Sequence, residues 1–452
     1  MSVTIMSERD ELDEDGGPST SKRSKFGSAA NADCQAVTVR TPQQSTERIL
    51  ASELDERIFT YVSNSNSFSF AKFGFLKLGP LCNASESHSF TEANCHVKTV
   101  RNENNLALIL EFSQLFSRGV MLLSDVKNNR RELDRQEIAA IKILDNFFKE
   151  KDQHEKCLNK GLRGHQSETD KKGFSGTEIA VTLAEHLLGK LAPGKSYVVD
   201  EKVKRKGKCR RGYEFCESDP MFGSTGIGHE EGWHGFADIV LSSHDGVPDT
   251  ISTTHINESQ ELATLTCSDD DCDDDNECSS SGGKTISDAK LFQSKTSAEN
   301  RAVAQTIVFS FLQRKRLPEF PNLLIPNILI SPQEFRIIMY DAVNDILMCS
   351  VPLPIFQSYP SNSLEIASII ILWMVLHHTI FCEGTDALIR EMGIERIKKV
   401  QADFKERAKE KFELYVNELK YGVQGFPFVQ RESLPSFKAL LLGVNLLPNM
   451  NS

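Results

Sequence analysis

The sequence lacks several features that would place it in a common class. It contains no apolar run of about twenty residues, the length that a membrane-spanning helix needs; the nearest candidate, 364–382, is interrupted by Glu365, His377 and His378. Residues 1–30 contain no apolar core of a secretory signal. The eleven cysteines are an odd number at irregular spacing. We therefore expect an intracellular protein with no membrane contact, in which residues 364–380 form a buried helix.

An excess of positive charge is also absent, because the formal net charge is -11. This balance argues against coating nucleic acid by bulk attraction, although a local patch can still bind it. Such a patch occupies residues 202–211 and contains seven cations: Lys202, Lys204, Arg205, Lys206, Lys208, Arg210 and Arg211. Cations at this density track phosphates and release counterions, so we predict a nucleic-acid contact here. A nuclear import signal, which is compatible with that contact, and an ordinary solvated loop are the alternatives.

The composition divides the chain into four regions, and the hydrophobic content of 39% is enough for a real core. Residues 1–48 are polar and read as a disordered tail. Residues 49–170 form a mixed, partly helical region, and 171–382 an α/β domain with an acidic disordered insertion at 245–283. Residues 383–452 read as a charged C-terminal helical extension, exposed as one helix or a helix pair.

Within the central region the periodicities predict alternating helices and strands. The predicted helices cover residues 130–151, 175–191, 297–313 and 364–380. The predicted strands cover residues 197–203, 236–241, 285–292, 323–331 and 335–351, the last with a turn near Asn344 and Asp345. The order from residue 175 is helix, three strands, helix, two strands, helix, which indicates a mixed sheet flanked by helices.

Two carboxylates fall in segments that otherwise predict buried strands. Asp238 stands alone in the apolar run 236–241, and Asp288 lies two residues before Lys290 in the run 285–292. A carboxylate that loses its hydration needs a cation or a full set of hydrogen bonds. Because strand side chains alternate, Asp288 and Lys290 would share one face. The pattern suggests a metal site with an acid and an ammonium group side by side.

These residues, in this order, resemble the PD-(D/E)XK superfamily of restriction-endonuclease-like nucleases. Glu178 lies on the first helix, Asp238 on a strand, Asp288 and Lys290 on the next strand, and Gln305 on the following helix. Ala237 replaces the proline of the namesake motif, and Asp288 stands where glutamate is commoner. The resemblance covers roughly 174–351.

The resemblance implies a Mg2+-dependent, or Mn2+-dependent, enzyme that hydrolyses DNA phosphodiester bonds. Asp238, Asp288 and Glu178 would supply hard oxygen ligands to the metal ion. Lys290 would orient the attacking water or stabilise the transition state, and Gln305 would fix the strand geometry by hydrogen bonding. A protein that keeps this fold for binding DNA or a protein partner after losing turnover is the alternative.

Structural explanations exist for each of these residues. Glu178 follows Ser175 by three residues, the spacing of a helix capping box. Asp238 can be satisfied by backbone donors, and Asp288 with Lys290 can form an exposed ion pair of little energetic value. Gln305 can be a solvated position on a helix. If all the carboxylates are incidental, the chain is a helical interaction scaffold.

Overall fold

The structure, a computed structural model, describes ten stretches of the chain. They are residues 51–61, 68–163, 176–194, 196–200, 220–242, 249–254, 289–319, 324–358, 361–423 and 425–426, with only the backbone of 289–296. They all lie in one compact unit that begins at Arg48. The predictions for the tail 1–48, for the basic segment 202–211, for Ser175 and for Asp288 lie outside these residues.

The strands are numbered along the chain. They are β1 Lys72–Lys77, β2 His88–Ser89, β3 Lys98–Thr99, β4 Ile109–Glu111, β5 Ser196–Asp200, β6 Phe222–Gly223, β7 Gly226–Gly228, β8 Trp233–Phe236, β9 Ile239–Ser242, β10 Thr250–Thr254, β11 Ile325–Ile330, β12 Glu334–Asp341, β13 Ile346–Ser350, β14 Leu353–Pro354 and β15 Lys420–Val423. Among the described residues the main sheet has the order β3-β1-β13-β12-β11-β10-β9-β5-β6, with β4 added beside β1 and β14 beside β12. A smaller sheet has the order β15-β7-β8-β2.

The helices are named here by their bounds. The α-helices are Phe112–Leu115, Ser117–Asn128, Arg135–Lys149, Lys151–Arg163, Gly176–Leu183, Gly189–Leu191, Ala289–Arg316, Ile366–Leu376, His378–Phe381, Gly384–Met392, Ile394–Val400, Phe404–Ala408 and Phe412–Asn417. A π-helical turn, Ala184–Leu188, joins two of them, and 3-10 turns cover Ala51–Glu53, Glu56–Phe59 and Lys409–Lys411. The helix Ala289–Arg316 is called the long helix below.

The main sheet has a hydrophobic core on each face, because successive side chains of its central strands point in opposite directions. In β12, Ile337 and Met339 belong to one core, which also contains the helix Ile366–Leu376. Ile338 and Tyr340 belong to the other, together with apolar side chains of the long helix. The predicted mixed sheet flanked by helices is confirmed.

The strands next to Asp238 form one continuous block in the main sheet. β5 and β9 are antiparallel, β9 and β10 are antiparallel, and β10 and β11 are parallel. A parallel pair needs a crossover connection, and the long helix lies between β10 and β11 in the chain. Along the chain, the block therefore consists of the antiparallel strands β5, β9 and β10, then the long helix, and then β11, which is parallel to β10.

The predicted strand at 285–292 is wrong where the structure describes it, because the long helix begins at Ala289. Alanine, lysine and leucine favour helix, and these outweigh the alternation seen in the sequence. The third strand is instead β10, which lies inside the predicted insertion at 245–283 and is buried throughout. The N-terminal bound predicted for the acidic insertion, residue 245, is therefore too early, because residues 250–254 form a strand.

The regions on either side of the predicted central domain also belong to the same packed unit. β1 pairs with β13, so residues of the predicted region 49–170 join the main sheet. Phe404 and Tyr415 are fully buried, so the described part of the C-terminal region is packed and the predicted exposed helix pair is wrong.

The predicted buried helix at 364–380 and the predicted hairpin near Asn344 and Asp345 are confirmed. In the helix Ile366–Leu376 every residue from Ala367 to Leu376 is buried, as its apolar composition predicts. No helix in the described stretches combines the length and the apolarity that crossing a membrane requires. The hairpin between β12 and β13 turns at Asp345, which has a left-handed φ of 55°.

Candidate functional site

Asp238 lies at a break between β8 and β9, where the chain leaves the small sheet and enters the main one. Its backbone carbonyl accepts a hydrogen bond of 3.1 Å from the N–H of Asp200, the last residue of β5. Its carboxylate is 26% exposed. Asp238 is therefore partly shielded from water and is held by its neighbours on both sides.

The Asp238 carboxylate is neutralised by an arginine. Its Oδ2 accepts 2.7 Å from Nη2 of Arg301 and 2.6 Å from the backbone N–H of Thr254 at the end of β10. The same Nη2 donates to the carbonyl oxygen of Thr254 at 2.7 Å. Charge-assisted bonds of this kind are stronger than those between neutral groups. The guanidinium ties the long helix to β9 and β10 at once.

Gln305 lies one helical turn after Arg301 and is fully buried. Its Nε2 donates to the carbonyl oxygen of Phe236 at 2.8 Å, and its Oε1 accepts from the hydroxyl of Thr253 at 2.5 Å. Asn327 of β11 is also fully buried and donates to the hydroxyl of Thr253 at 3.1 Å. This buried network fixes β8, β10 and β11 against the long helix, so Gln305 is not the solvated residue of the structural alternative.

The other residues predicted for the site are less tightly placed. Glu178 is partly buried in the first turn of the helix Gly176–Leu183, and that helix contacts β10. Lys290 lies on the long helix, eleven residues before Arg301, which corresponds to about 16 Å along the helix axis. The prediction that Lys290 lies on a strand beside Asp288 is therefore wrong, because Lys290 lies on a helix. Asp288 itself and the seven basic residues of 202–211 lie outside the described residues.

The sequence reasoning missed Arg301, Thr253, Thr254 and Asn327. The segment Thr250–Thr254 has the β-branched residues typical of a strand, but it contains little apolar surface. Two of its buried hydroxyls have partners: Ser252 Oγ donates to the carbonyl oxygen of Ile328 at 2.9 Å, and Thr253 Oγ1 donates to Gln305 Oε1 at 2.5 Å. The hydroxyl of Thr254 is buried without a partner. Arg301 lies four residues before Gln305 on the predicted helix 297–313, and this spacing, which puts both on one helix face, is the signal that could have found it.

The donor set around Asp238 does not fit a magnesium ion. Mg2+ is bound by oxygen ligands, most often one or two carboxylates with water. Here the cation beside Asp238 Oδ2 is the guanidinium of Arg301, and the adjoining strand contributes Thr253 and Thr254. In the described part of the chain, no group of three or more His, Cys, Asp or Glu side chains is arranged to hold a metal ion.

Comparisons of the chain with models of protein families, with curated proteins and with solved structures find no match.

Proposed function

We propose that this chain is a restriction-endonuclease-like protein that binds nucleic acid, and that an arginine takes the place of a metal ion at its central aspartate. The observation that carries the proposal is the contact of Arg301 with Asp238 Oδ2 and with the carbonyl oxygen of Thr254. In the superfamily that the sequence resembles, the residues of this region would bind the ion. The geometry therefore favours binding without hydrolysis.

The order of the elements supports the resemblance. Glu178 lies on a helix that precedes β5, Asp238 lies immediately before β9, and Gln305 lies on the helix that follows β10. This is the order on which the resemblance was based, with β10 as the third strand. Where a second carboxylate and a lysine were expected, β10 provides Ser252 and Thr254, and this replacement supports a loss of turnover.

The position of the basic segment in the chain supports nucleic acid as the partner. β5 ends at Asp200, whose N–H donates to the carbonyl oxygen of Asp238, and the run of cations begins two residues later in the sequence. A run of this kind gives salt-sensitive affinity for phosphates without reading the sequence. DNA is the proposed nucleic acid, and nuclear import through the same segment stays a prediction.

The test is a gel-shift and nicking assay of the full chain with plasmid DNA, with and without Mg2+ or Mn2+. We expect a shift that weakens steeply as the salt concentration rises, and no metal-dependent nicking. The triple variant Lys204→Glu, Arg205→Glu and Lys206→Glu should abolish the shift. Arg396→Glu, Lys398→Glu and Lys399→Glu make the same charge change on exposed residues of the helix Ile394–Val400 and should retain most of it.

Metal-dependent hydrolysis of DNA is the second candidate. It is favoured by the contact between the helix that carries Glu178 and β10, because that contact brings the helix to the strand beside Asp238. Nicking that requires Mg2+ and disappears in Asp238→Ala would establish this function and contradict the first. If the wild-type chain neither shifts nor nicks DNA, both candidates fail and the interaction-scaffold hypothesis gains support.

A further inference from the structure

Two cysteines, Cys82 and Cys95, lie at the two ends of the loop 83–94. The backbone N–H of Asn83 donates to the carbonyl oxygen of Asn94 at 3.0 Å, and that of Gly79 donates to the carbonyl oxygen of Cys95 at 3.2 Å. The acceptor moves back along the chain while the donor moves forward, so the two segments run in opposite directions. Both cysteines are free thiols in this structure. The fold therefore brings two thiols together at the neck of one loop.

The hydrogen bond between Asn83 and Asn94 places the two cysteines opposite each other. It joins the peptide group that follows Cys82 to the peptide group that precedes Cys95. In antiparallel segments, residues related in this way have Cα atoms about 4.5 Å apart and side chains on the same side. A disulfide needs Cα atoms roughly 4.4–6.8 Å apart. The backbone thus has the spacing that a disulfide between Cys82 and Cys95 requires.

The side chain of Asn83 holds the neck of the loop closed. Its Oδ1 accepts from the backbone N–H of Asn94 at 2.8 Å and from the indole Nε1 of Trp233 at 3.0 Å. Its Nδ2 donates to the carbonyl oxygen of Glu92 at 3.1 Å. These bonds fix the loop against the small sheet before any cross-link forms, so the disulfide needs no rearrangement of the loop.

The two thiols differ in their access to solvent. Cys82 is partly exposed, whereas Cys95 is fully buried. Cys95 Sγ donates to the carbonyl oxygen of Asn300 on the long helix at 3.3 Å, and its backbone N–H donates to Asn300 Oδ1 at 3.2 Å. Oxidation removes the first of these bonds and leaves the second, so Cys95 keeps its anchor on the helix. Cys82 is therefore the thiol that an oxidant in solution reaches first.

Burial makes both thiols slow to react. It raises the pKa of Cys82 to about 11, and it raises the pKa of Cys95 well above its usual range, with a further increase from the neighbouring Cys82. The thiolate is the reactive form, so few molecules are ready to react at neutral pH and the rate increases as the pH rises.

We propose that Cys82 and Cys95 form a reversible disulfide, with a small disulfide such as oxidised glutathione as the oxidant. The Cys82 thiolate attacks one sulfur of oxidised glutathione, whose S–S bond breaks, and the departing glutathione takes up the proton that Cys82 lost. The Cys95 thiolate then attacks Cys82 Sγ in the mixed disulfide, and the second glutathione leaves with the proton of Cys95. Two protein thiols are oxidised to one disulfide, and one glutathione disulfide is reduced to two thiols.

The cross-link closes the loop 82–95, which contains β2, and β2 pairs with β8 of the small sheet. It restricts the unfolded chain, and for a loop of this length that restriction favours the folded state by roughly a hundredfold. The oxidation state of the two cysteines thus sets the stability of this part of the fold. The disulfide is independent of nucleic-acid binding and uses none of the side chains that contact Asp238.

The test equilibrates the full chain, without oxygen and at mildly alkaline pH, in buffers with increasing ratios of oxidised to reduced glutathione. The remaining thiols are trapped with acid and alkylated, and the peptides are identified by mass spectrometry. We expect Cys82 and Cys95 to lose their thiols over the same range of ratios and a cross-linked peptide containing both to appear. The oxidised chain should unfold at a higher urea concentration than the reduced one. The proposal fails if both thiols stay reduced at every ratio, if they are oxidised over different ranges, or if they link to other cysteines.

Variants then assign the two roles. Cys95→Ala leaves Cys82 without a partner, so Cys82 should accumulate as the mixed disulfide with glutathione. Cys82→Ser should leave Cys95 a free thiol at every ratio, and because position 82 is partly exposed this variant decides the outcome if Cys95→Ala does not fold. Cys349→Ser is the matched control, since Cys349 is also partly exposed, and it should retain the cross-link. Loss of the cross-link in Cys349→Ser, or glutathione on Cys95 in Cys82→Ser, would overturn the proposal.

Discussion

The two ends of β5 differ in how far their buried polar groups are hydrogen-bonded. At its C-terminal end, Asp238 and Gln305 are bonded to Arg301, Thr253 and backbone groups. At its N-terminal end, the hydroxyl of Tyr197 and Nδ1 of His154 line a cleft without a hydrogen-bond partner, and Nε2 of His154 lies 3.4 Å from Glu150 Oε2. The network at the Asp238 end is not complete, because Arg301 Nε and the hydroxyl of Thr254 are buried without partners. Its bonds nevertheless hold the strands and the long helix in one arrangement. The bonded end of β5 therefore contributes more to the stability of the fold than the cleft end.

The largest effect should come from breaking the hydrogen-bond network around Gln305. Gln305→Leu keeps the size of the side chain but leaves the hydroxyl of Thr253 and the carbonyl oxygen of Phe236 with fewer partners in a buried place. We expect a loss of about 3 kcal/mol in the free energy of unfolding, measured by urea unfolding. Gln153→Leu, on an exposed helical position, is the control and should change it by less than about 0.5 kcal/mol. A small effect of Gln305→Leu would show that the network does not stabilise this end of β5.

A smaller effect should come from the ion pair between Asp238 and Arg301. Both side chains are about one-quarter exposed, with relative areas of 26% and 24%, so solvent weakens their attraction. Asp238→Asn or Arg301→Met alone should cost about 2 kcal/mol, because each leaves the other charge unpaired.

The double-mutant cycle of these two substitutions should show a favourable coupling energy, measured by urea unfolding. The exposed pair Glu395 and Lys398 is the matched control, and its coupling should be indistinguishable from zero. A coupling at Asp238 and Arg301 as small as that of the control would contradict a cation-replacement role for Arg301.

The smallest effect, with the opposite sign, should come from the cleft. His154→Phe removes two unpaired ring nitrogens and retains the stacking on Phe147. We expect the variant to be about 1 kcal/mol more stable than the wild type at neutral pH, because a buried polar group without partners is lost. Destabilisation by His154→Phe would indicate that His154 is satisfied in the fold and would weaken the contrast between the two ends.

The pH dependence sharpens the same comparison. Burial lowers the pKa of His154 and of His186 to about 4, from 6.5. Between these values the unfolded chain binds more protons than the folded one, so the stability present above pH 6.5 is lost as the pH falls towards 4. Glu150, 3.4 Å from His154 Nε2, is 56% exposed and too well hydrated to offset burial. His154→Phe should therefore shift the midpoint of acid unfolding, followed by tryptophan fluorescence, to lower pH.

The elements that the sequence predicted well are those with strong apolar periodicity. Apolar spacing predicts two of them, the helix Arg135–Lys149 and the buried helix Ile366–Leu376. Turn residues predict the third, the hairpin of β12 and β13. β10 was missed because most of its buried side chains carry hydroxyls, and a polar composition of this kind predicts a loop. Asp238 was singled out correctly as an unusual carboxylate, but the local pattern carries no information on its distance from Arg301, which lies 63 residues later.

The sequence by itself determined the α/β character of this chain, because the periodicity of apolar residues decides which face of each helix or strand is buried. The tertiary structure alone decided which polar residues are buried and which cation meets Asp238. The physical reason is that burial of a polar group depends on hydrogen-bond partners supplied by distant segments, and local patterning carries no information about them.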